Sequence, residues 1–225
     1  MSEQKYYTAY DDRYRQVHAQ NLQWFQSTPS PIVEETMREF AITAKHKLLE
    51  IGCGEGRDAY PLLAQGFDLL ATDVSPEAIA YCRKNAPDKA AHFQILDCIG
   101  GCLEQSFDFI FAIAVVHMLV PDADRAAFYR FIRTHLNPGG IALIGTMGDG
   151  IAERQTDIRT AFQLQTRTHQ QSGKEVQIAA TSCLMVSFQT FEAELSQNGL
   201  TVVKQGHTVI EPDFPQMIYA VVRAN

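Results

Sequence analysis

The chain has 225 residues, 46% of them hydrophobic and 20% charged, with a formal net charge of -7. Such a length suits one large domain, or one domain with an elaborated lid, and the composition can bury a full-sized core. The acidic balance offers no overall attraction to nucleic acid or anionic membrane, and no lysine or arginine run marks a local basic patch. The start, Met1 to Tyr7, is polar and lacks the apolar segment of a secretory leader; no apolar run reaches membrane-spanning length. A cytoplasmic location is expected. The five cysteines (Cys53, Cys82, Cys98, Cys102 and Cys183) are odd in number and scattered, which predicts free thiols in a reducing compartment. Cys98 and Cys102 lack a second closely spaced Cys/His pair, so no metal site is expected.

From the N-terminus, Tyr6 to Phe25 concentrates Tyr6, Tyr7, Tyr10, Tyr14, Trp24 and Phe25 among Asp11, Asp12, Arg13 and Arg15. Periodicity leaves two readings open, a helical arm and a partly ordered lid. Thr28-Pro29-Ser30-Pro31 ends that segment. Ser30 as N-cap, with Pro31 at the first helical position, predicts a helix to about Ala41. Residues 1–46 are thus read as an arm or lid, ahead of a core over 47–225.

From Lys47 onward strand and helix signals alternate. Short apolar runs at about 47–51, 68–72, 92–96, 107–114 and 140–145 predict buried strands. Helical patterns fall near 58–65, 76–85 and 123–136; Ser75 precedes the second as a cap, and Asn137-Pro138-Gly139-Gly140 stops the third. Alternation of this kind predicts right-handed crossovers and a doubly wound, mainly parallel α/β sheet. Residues 148–189 break the rhythm. A polar segment, Ile151–Gln171, is read as helical, and Ser172-Gly173 as a turn before strand-like Lys174–Ser187. So long a stretch between core elements reads as a functional insertion or lid. A helix near 190–198, closed by Asn198-Gly199, precedes two final strands at about 200–205 and 216–222.

The densest signal lies in Leu48-Leu49-Glu50-Ile51-Gly52-Cys53-Gly54-Glu55-Gly56, with Asp73 at the end of the next apolar run, 17 residues beyond Gly56. It predicts a buried strand, a sharp glycine turn into a helix, and a second strand ending in a lone acid. Alternate glycines let the backbone turn and leave room for a ligand against the main chain. An acid at the next strand end can accept hydrogen bonds from a ribose diol. The pattern describes a nucleoside-bearing cofactor across the carboxyl ends of a parallel sheet. A dinucleotide fingerprint would put its third glycine at position 57, where this chain has Arg57.

The run Glu50-x-Gly52-x-Gly54-x-Gly56 resembles instead the E/DxGxGxG signature of class I S-adenosylmethionine-dependent methyltransferases. The order of elements from Lys47 to Arg223, about four fifths of the chain, is similar to that family's core. The resemblance implies a Rossmann-like seven-stranded sheet, mostly parallel, with its last strand, Gln216–Val222, antiparallel. It implies S-adenosylmethionine as cofactor, with Glu50 near the methionine end, Gly52, Cys53, Gly54 and Gly56 beneath it, and Asp73 with Val74 at the ribose. Asp97 would face the adenine amino group and the Cys98 N–H a ring nitrogen; Asp97 as a simple loop cap is the alternative. Arg57-Asp58 resembles the GxGRD variant of some small-molecule methyltransferases, including the tellurite-resistance type. Arg57 would then pair with the cofactor carboxylate or a lid acid. On the other reading Asp58 caps the helix and Arg57 is solvated. Tyr14 and the other arm tyrosines either close over the cofactor or only pack a helix.

Phe107 to His117 resembles the family's fourth strand and its exit, past which the methyl group is transferred, with Ala112 beside the cofactor. Families that methylate base amines usually carry an Asn/Asp-Pro-Pro-aromatic tetrad there. This chain has Ala112-Ile113-Ala114-Val115, and no Pro-Cys dipeptide for cytosine C5 chemistry. A small-molecule acceptor is therefore expected, with neither nucleic acid nor membrane as partner. His117 could take a proton from a hydroxyl or amine near neutral pH, or could simply pack. Two further readings stand beside methyl transfer: a non-catalytic S-adenosylmethionine-binding regulator, and an NAD-dependent oxidoreductase, against which Arg57 counts.

Overall fold

The computed structural model describes residues 4–24, 28–169, 171–212 and 214–225. Phe25, the last aromatic of the arm, lies outside the described residues. After a 3-10 turn at Tyr6–Thr8 come α1 (Ala9–His18) and α2 (Pro31–Glu39). The core then runs β1 (Lys47–Ile51), α3 (Ala59–Ala64), β2 (Asp68–Asp73), α4 (Pro76–Asn85), β3 (Phe93–Ile95), β4 (Phe107–Ile113), α5 (Asp122–His135) and β5 (Leu136–Met147). Next come the short strands β6 (Arg154–Gln155), β7 (Leu164–Thr168), β8 (Glu175–Ala179) and β9 (Leu184–Met185). The chain closes with α6 (Phe188–Gln197), β10 (Leu200–Ile210) and β11 (Phe214–Ala224).

Seven strands form one sheet in the order β10-β11-β5-β4-β1-β2-β3. β1 pairs parallel with β2 and β4, as do β2 with β3 and β4 with β5. β11 runs antiparallel to both neighbours, β10 and β5. The expected mostly parallel sheet with an antiparallel last strand is what the chain forms. β1 sits where the strand order reverses, so the crossovers diverge on either side of it and leave a crevice at its carboxyl end.

Alternation along the strands supplies both faces of the core. Leu48, Phe109, Phe111 and Leu143 pack with Ile32, Leu62, Leu63 and Ile79 from α2, α3 and α4. Leu49, Ile110, Ala142 and Ile144 pack with Phe128, Ile132, Phe191 and Leu195 from α5 and α6. At the start of α4 the Ser75 hydroxyl accepts from the Ala78 N–H at 3.0 Å, the predicted cap. The cap predicted for α2 takes another form. Ser30 holds the N-cap position but its hydroxyl makes no cap bond; Ser30 N and Oγ both donate to Asp58, at 2.6 and 2.8 Å. The Ser30 side chain is oriented by the buried carboxylate it donates to rather than by the amides of the helix it precedes.

The helix expected over Ile151–Gln171 does not form. Residues 164–168 pair antiparallel with 175–179, from Leu164↔Ala179 to Thr168↔Glu175, and Arg154–Gln155 pairs with Leu184–Met185. The segment lacks an apolar stripe at helical spacing, so its backbone is satisfied across the chain instead. Strand character in 174–187 is confined to β8 and β9. The arm is helical, and it is the bridge between core and insertion. Val17 packs with Val176 and Ile178, and Ala9 with Ala161 and Ala179.

Candidate cofactor and acceptor site

The site begins at the carboxyl end of β1. Gly52 N and Cys53 N donate to Thr72 O at 2.7 and 2.9 Å, so the chain leaves β1 while still bonded to β2. Gly52 has φ +75°, and a Cβ there would lie 2.4 Å from Val115 Cγ2. That position requires glycine for both reasons. Gly54 N donates to Asp73 Oδ2 at 2.9 Å, and Ser75 N to Oδ1 at 2.8 Å. Burial pushes the Asp73 carboxyl up to about 6 although these amides favour its charged form. Glu50 is 4% exposed, and its Oε2 has no hydrogen-bond partner among the described residues. Burial raises its carboxyl well above the usual range, with Asp58 adding to the effect. An orphaned buried carboxylate beside a cradle that a Cβ would fill fits the ammonium end of an amino-acid-bearing ligand.

A single cavity gathers Glu50, Gly52, Cys53, Gly54, Arg57, Asp73, Val74, Asp97, Cys98 and Tyr14. Two of the expected residues stand outside it. Gly56 turns away, with φ +86° and a hypothetical Cβ 2.7 Å from the Tyr60 ring, so it serves the fit of α3 against the turn. Ala112 is fully buried within β4, and the strand reaches the cavity one residue later, through Ile113, Ala114 and Val115. Ala114 adopts φ +60°, a conformation unusual for a residue with a Cβ, and its N–H is held by Gly145 O at 2.9 Å. Nothing in an alanine announces this in sequence.

The arm closes the cavity with Tyr7, Tyr10 and Tyr14. Its hold on the core is polar. Asp97 accepts from Lys5 Nζ at 2.6 Å, from Tyr7 Oη at 3.0 Å and from Ile99 N at 3.0 Å. Burial would raise the Asp97 carboxyl, but Lys5 and these donors outweigh it and hold it low. Asp11 accepts from Ser75 Oγ at 2.6 Å and Glu77 N at 3.0 Å. His18 lies between Glu55 and Glu77, Nε2 at 2.8 Å and Nδ1 at 2.7 Å, and stacks on Tyr81. Burial alone would lower His18, yet the two carboxylates prevail and raise it. Arg57 is not solvated: its side chain is 11% exposed, 3.5 Å from Asp58 and 5.9 Å from the Phe214 ring centre. Nor does Asp58 cap α3, since its oxygens serve Ser30.

His117 does not line this cavity. It lines a second one, of about 530 Å³, between the arm, β7 and the 180–183 segment, together with Tyr10, Arg13, Trp24 and Phe214. Tyr10 and Phe214 belong to both cavities, so the two adjoin. Full burial, with Arg125 and Arg13 nearby, pushes His117 down to about 3, so its imidazole is neutral. Its Nδ1 has no partner among the described residues. The turn that carries it, Val116–Met118, is pinned by buried Arg125, whose Nη1 donates to Val116 O at 2.8 Å while its Nε donates to Glu194 at 2.8 Å. The sequence reading passed over Phe214, Arg125 and Glu194; they lie far from the glycine turn in the chain, and only packing brings them to it.

A glycine turn off the central strand, an acid at the next strand end and an order of β10-β11-β5-β4-β1-β2-β3 define a Rossmann-like domain of the methyltransferase kind. Residues 49–142 match the family model described as "Methyltransferase domain". The family match covers less than half of the chain, and the fold around it is the one shared by S-adenosylmethionine-dependent methyltransferases. Among curated proteins it is similar to "Hemagglutinin 1" of Eikenella corrodens, 34% identical over 44% of this chain and 33% of that protein. It is also similar to the ubiquinone biosynthesis O-methyltransferase of Rickettsia prowazekii, 27% identical over 52% of this chain and 46% of the other. The chain therefore spans a third to a half of the length of these relatives. The methyltransferase CcbJ of Streptomyces caelestis has the same fold, with TM-score 0.72 and 17% identity over 98% of this chain and 99% of that one. Among the described residues no helix is long and apolar enough to cross a membrane.

Proposed function

We propose that this chain transfers the methyl group of S-adenosylmethionine to a small acceptor held in the second cavity. The observation that carries this is the adjacency of two cavities, one built on the glycine turn and Asp73, the other closed by the arm and insertion. When bound, the cofactor would supply a methyl group activated on a sulfonium sulfur that departs neutral, so the acceptor would need only a lone pair, and any proton it sheds would pass to solvent. The chain then has to bind, align and exclude water, which can contribute about 7–11 kcal/mol at the upper end.

In this reading Asp73 accepts from the ribose hydroxyls, aligned by the Gly54 and Ser75 amides, with Val74 beside the sugar. Glu50 takes the methionine ammonium, and Arg57 the methionine carboxylate. Gly52, Cys53 and Gly54 give the cofactor a bare backbone to lie on. Leu96, Cys98 and Ile99 flank the adenine, and Tyr14 covers the cofactor from the arm. Asp97, which already accepts from Lys5, Tyr7 and Ile99 N, has an acceptor site left for the adenine amino group. His117 is too weak a base at about 3 to take a proton from a neutral hydroxyl at pH 7. Its neutral ring instead orients the acceptor by a hydrogen bond to Nδ1.

Calorimetric titration with S-adenosylmethionine and S-adenosylhomocysteine, with NADH as control, tests this. Both sulfur nucleosides should bind, and Asp73→Ala should weaken them roughly 10- to 100-fold. A carboxyl raised to about 6 in the free protein loses its charged, accepting form below that pH, so wild-type affinity should fall as pH drops through about 6. If well-folded protein binds neither nucleoside, the proposal is wrong.

A further inference from the structure

The second cavity carries a charge pattern at odds with the acidic chain around it. Among the described residues its lining includes Arg13 and Arg167 and no carboxylate. Arg13 is 6% exposed, with its guanidinium 4.6 Å from the Tyr10 ring centre and 4.8 Å from that of Trp24. Its donors go to neutral acceptors: Nε to Ala179 O at 3.1 Å, and Nη2 to Ala180 O at 2.7 Å and Thr181 Oγ1 at 2.9 Å. It makes no ion pair among the described residues. A buried cation is ordinarily paired, because carbonyl dipoles and ring faces replace only part of its hydration. Arg167, on exposed β7, reinforces the field; it too makes no ion pair among the described residues, and it repels Arg13. The cavity thus holds two like charges whose mutual repulsion an anion would relieve.

Resting on the methyltransferase reading, we propose that the acceptor is an aromatic acid, its carboxylate seated between Arg13 and Arg167 and its ring against Tyr10, Trp24 and Phe214. The Arg167 fork matches a carboxylate in shape as well as charge, Arg13, whose Nε and Nη2 already donate to Ala179, Ala180 and Thr181, adds its charge, and flat rings favour a flat partner. The orientation follows from the ends of the cavity. Arg167 marks the insertion side, while His117 and Phe214 mark the side adjoining the cofactor cavity, where Met118, next in the chain, already lines it. The methyl-accepting hydroxyl or amine therefore lies at the His117 end, away from the carboxylate. A cationic acceptor would meet two arginines, and a neutral one would leave Arg13 uncompensated.

Calorimetry on the full chain saturated with S-adenosylhomocysteine tests the assignment, with para-hydroxybenzoate, para-aminobenzoate and the primary amides of both as probes. Each acid should bind at least about tenfold tighter than its amide. Arg167→Gln should remove about tenfold of acid affinity, some 1.4 kcal/mol, and leave amide binding within about twofold. Arg167 is exposed and holds no side-chain partner among the described residues, so this variant should keep the wild-type melting temperature; Arg13→Gln should lose acid binding too, but it also removes the Arg13 bonds that tie the arm to the insertion. Equal affinity for acid and amide, no binding of either acid, or acid binding indifferent to Arg167→Gln would each overturn the proposal. Failure to bind S-adenosylhomocysteine would instead overturn the methyltransferase reading on which it rests.

Discussion

The two halves of the site are built by different means. At the carboxyl edge of the sheet, five consecutive register pairs between β1 and β2, from Lys47↔Asp68 to Ile51↔Thr72, deliver the glycine turn and Asp73 side by side. Two backbone amides then aim the carboxylate. On the acceptor side the main sheet contributes only strand ends, Met147 of β5 and Phe214 of β11, among the described lining residues. α1, β7, β8 and the 180–183 segment are held together by side chains reaching across more than a hundred residues, Arg13 to Ala179 and Ala180 and the Ala179 N–H to Gln16 Oε1 among them. Sheet register fixes the half common to such domains, and long-range side-chain bonds build the half that is particular to this chain. A scaffold that carries many acceptors needs this division, because the variable wall can change without disturbing the pairing beneath it.

Removing the arm should separate the two halves most sharply. Deleting residues 1–25 takes away Tyr7, Tyr10 and Tyr14 from the cofactor cavity and Arg13 from the other, while the seven-stranded sheet keeps its pairing. Turnover should fall roughly 100-fold or more, through lost alignment and water exclusion, with a smaller loss of thermal stability. A fully active truncation would show that the arm is only packing.

A smaller effect is expected at the junction. His117→Asn should raise KM for the acceptor about tenfold, as expected for one lost buried hydrogen bond, without adding a titration between pH 6 and 9. A wild-type rate profile that shows an ionisation lost in the variant would restore the histidine as proton acceptor.

The smallest effect concerns the latch. His18 is raised by Glu55 and Glu77 against the burial that would lower it, so its contribution to arm docking is complete below its unfolded pKa of about 6.5. That contribution fades as pH rises through the raised folded value. Amide protection over 9–18, corrected for the intrinsic base-catalysed exchange rate, should therefore fall above neutrality in wild type, and His18→Gln should remove that pH dependence at a cost of about 1 kcal/mol. Corrected protection that is flat with pH in both proteins would show that the latch carries no charge.

Most of the core was legible because its signals are local. The cap at Ser75, the stop at Asn137-Pro138-Gly139-Gly140 and the apolar runs each act within a few residues, and the elements formed where they pointed. The insertion misled because Ile151–Gln171 has neither periodicity strongly; pairing of 164–168 with 175–179 chose strand over helix. Ser30 misled for a related reason, since its cap position was right but a partner 28 residues away, Asp58, claimed the hydroxyl.

Sequence by itself determined the glycine turn, the acids Glu50 and Asp73 and the winding of the sheet, because backbone sterics and period-two burial act between neighbours and paired strands. Tertiary structure alone decided that Gly56 and Ala112 face away, that Ala114 takes the strained turn, and that His117 opens on a different cavity from the glycines. It also decided that two arginines face a space without a carboxylate among its described lining residues. The physical reason is range: a turn is set by the residues within it, whereas burial, and the charge a cavity presents, depend on segments that meet only after the chain has folded.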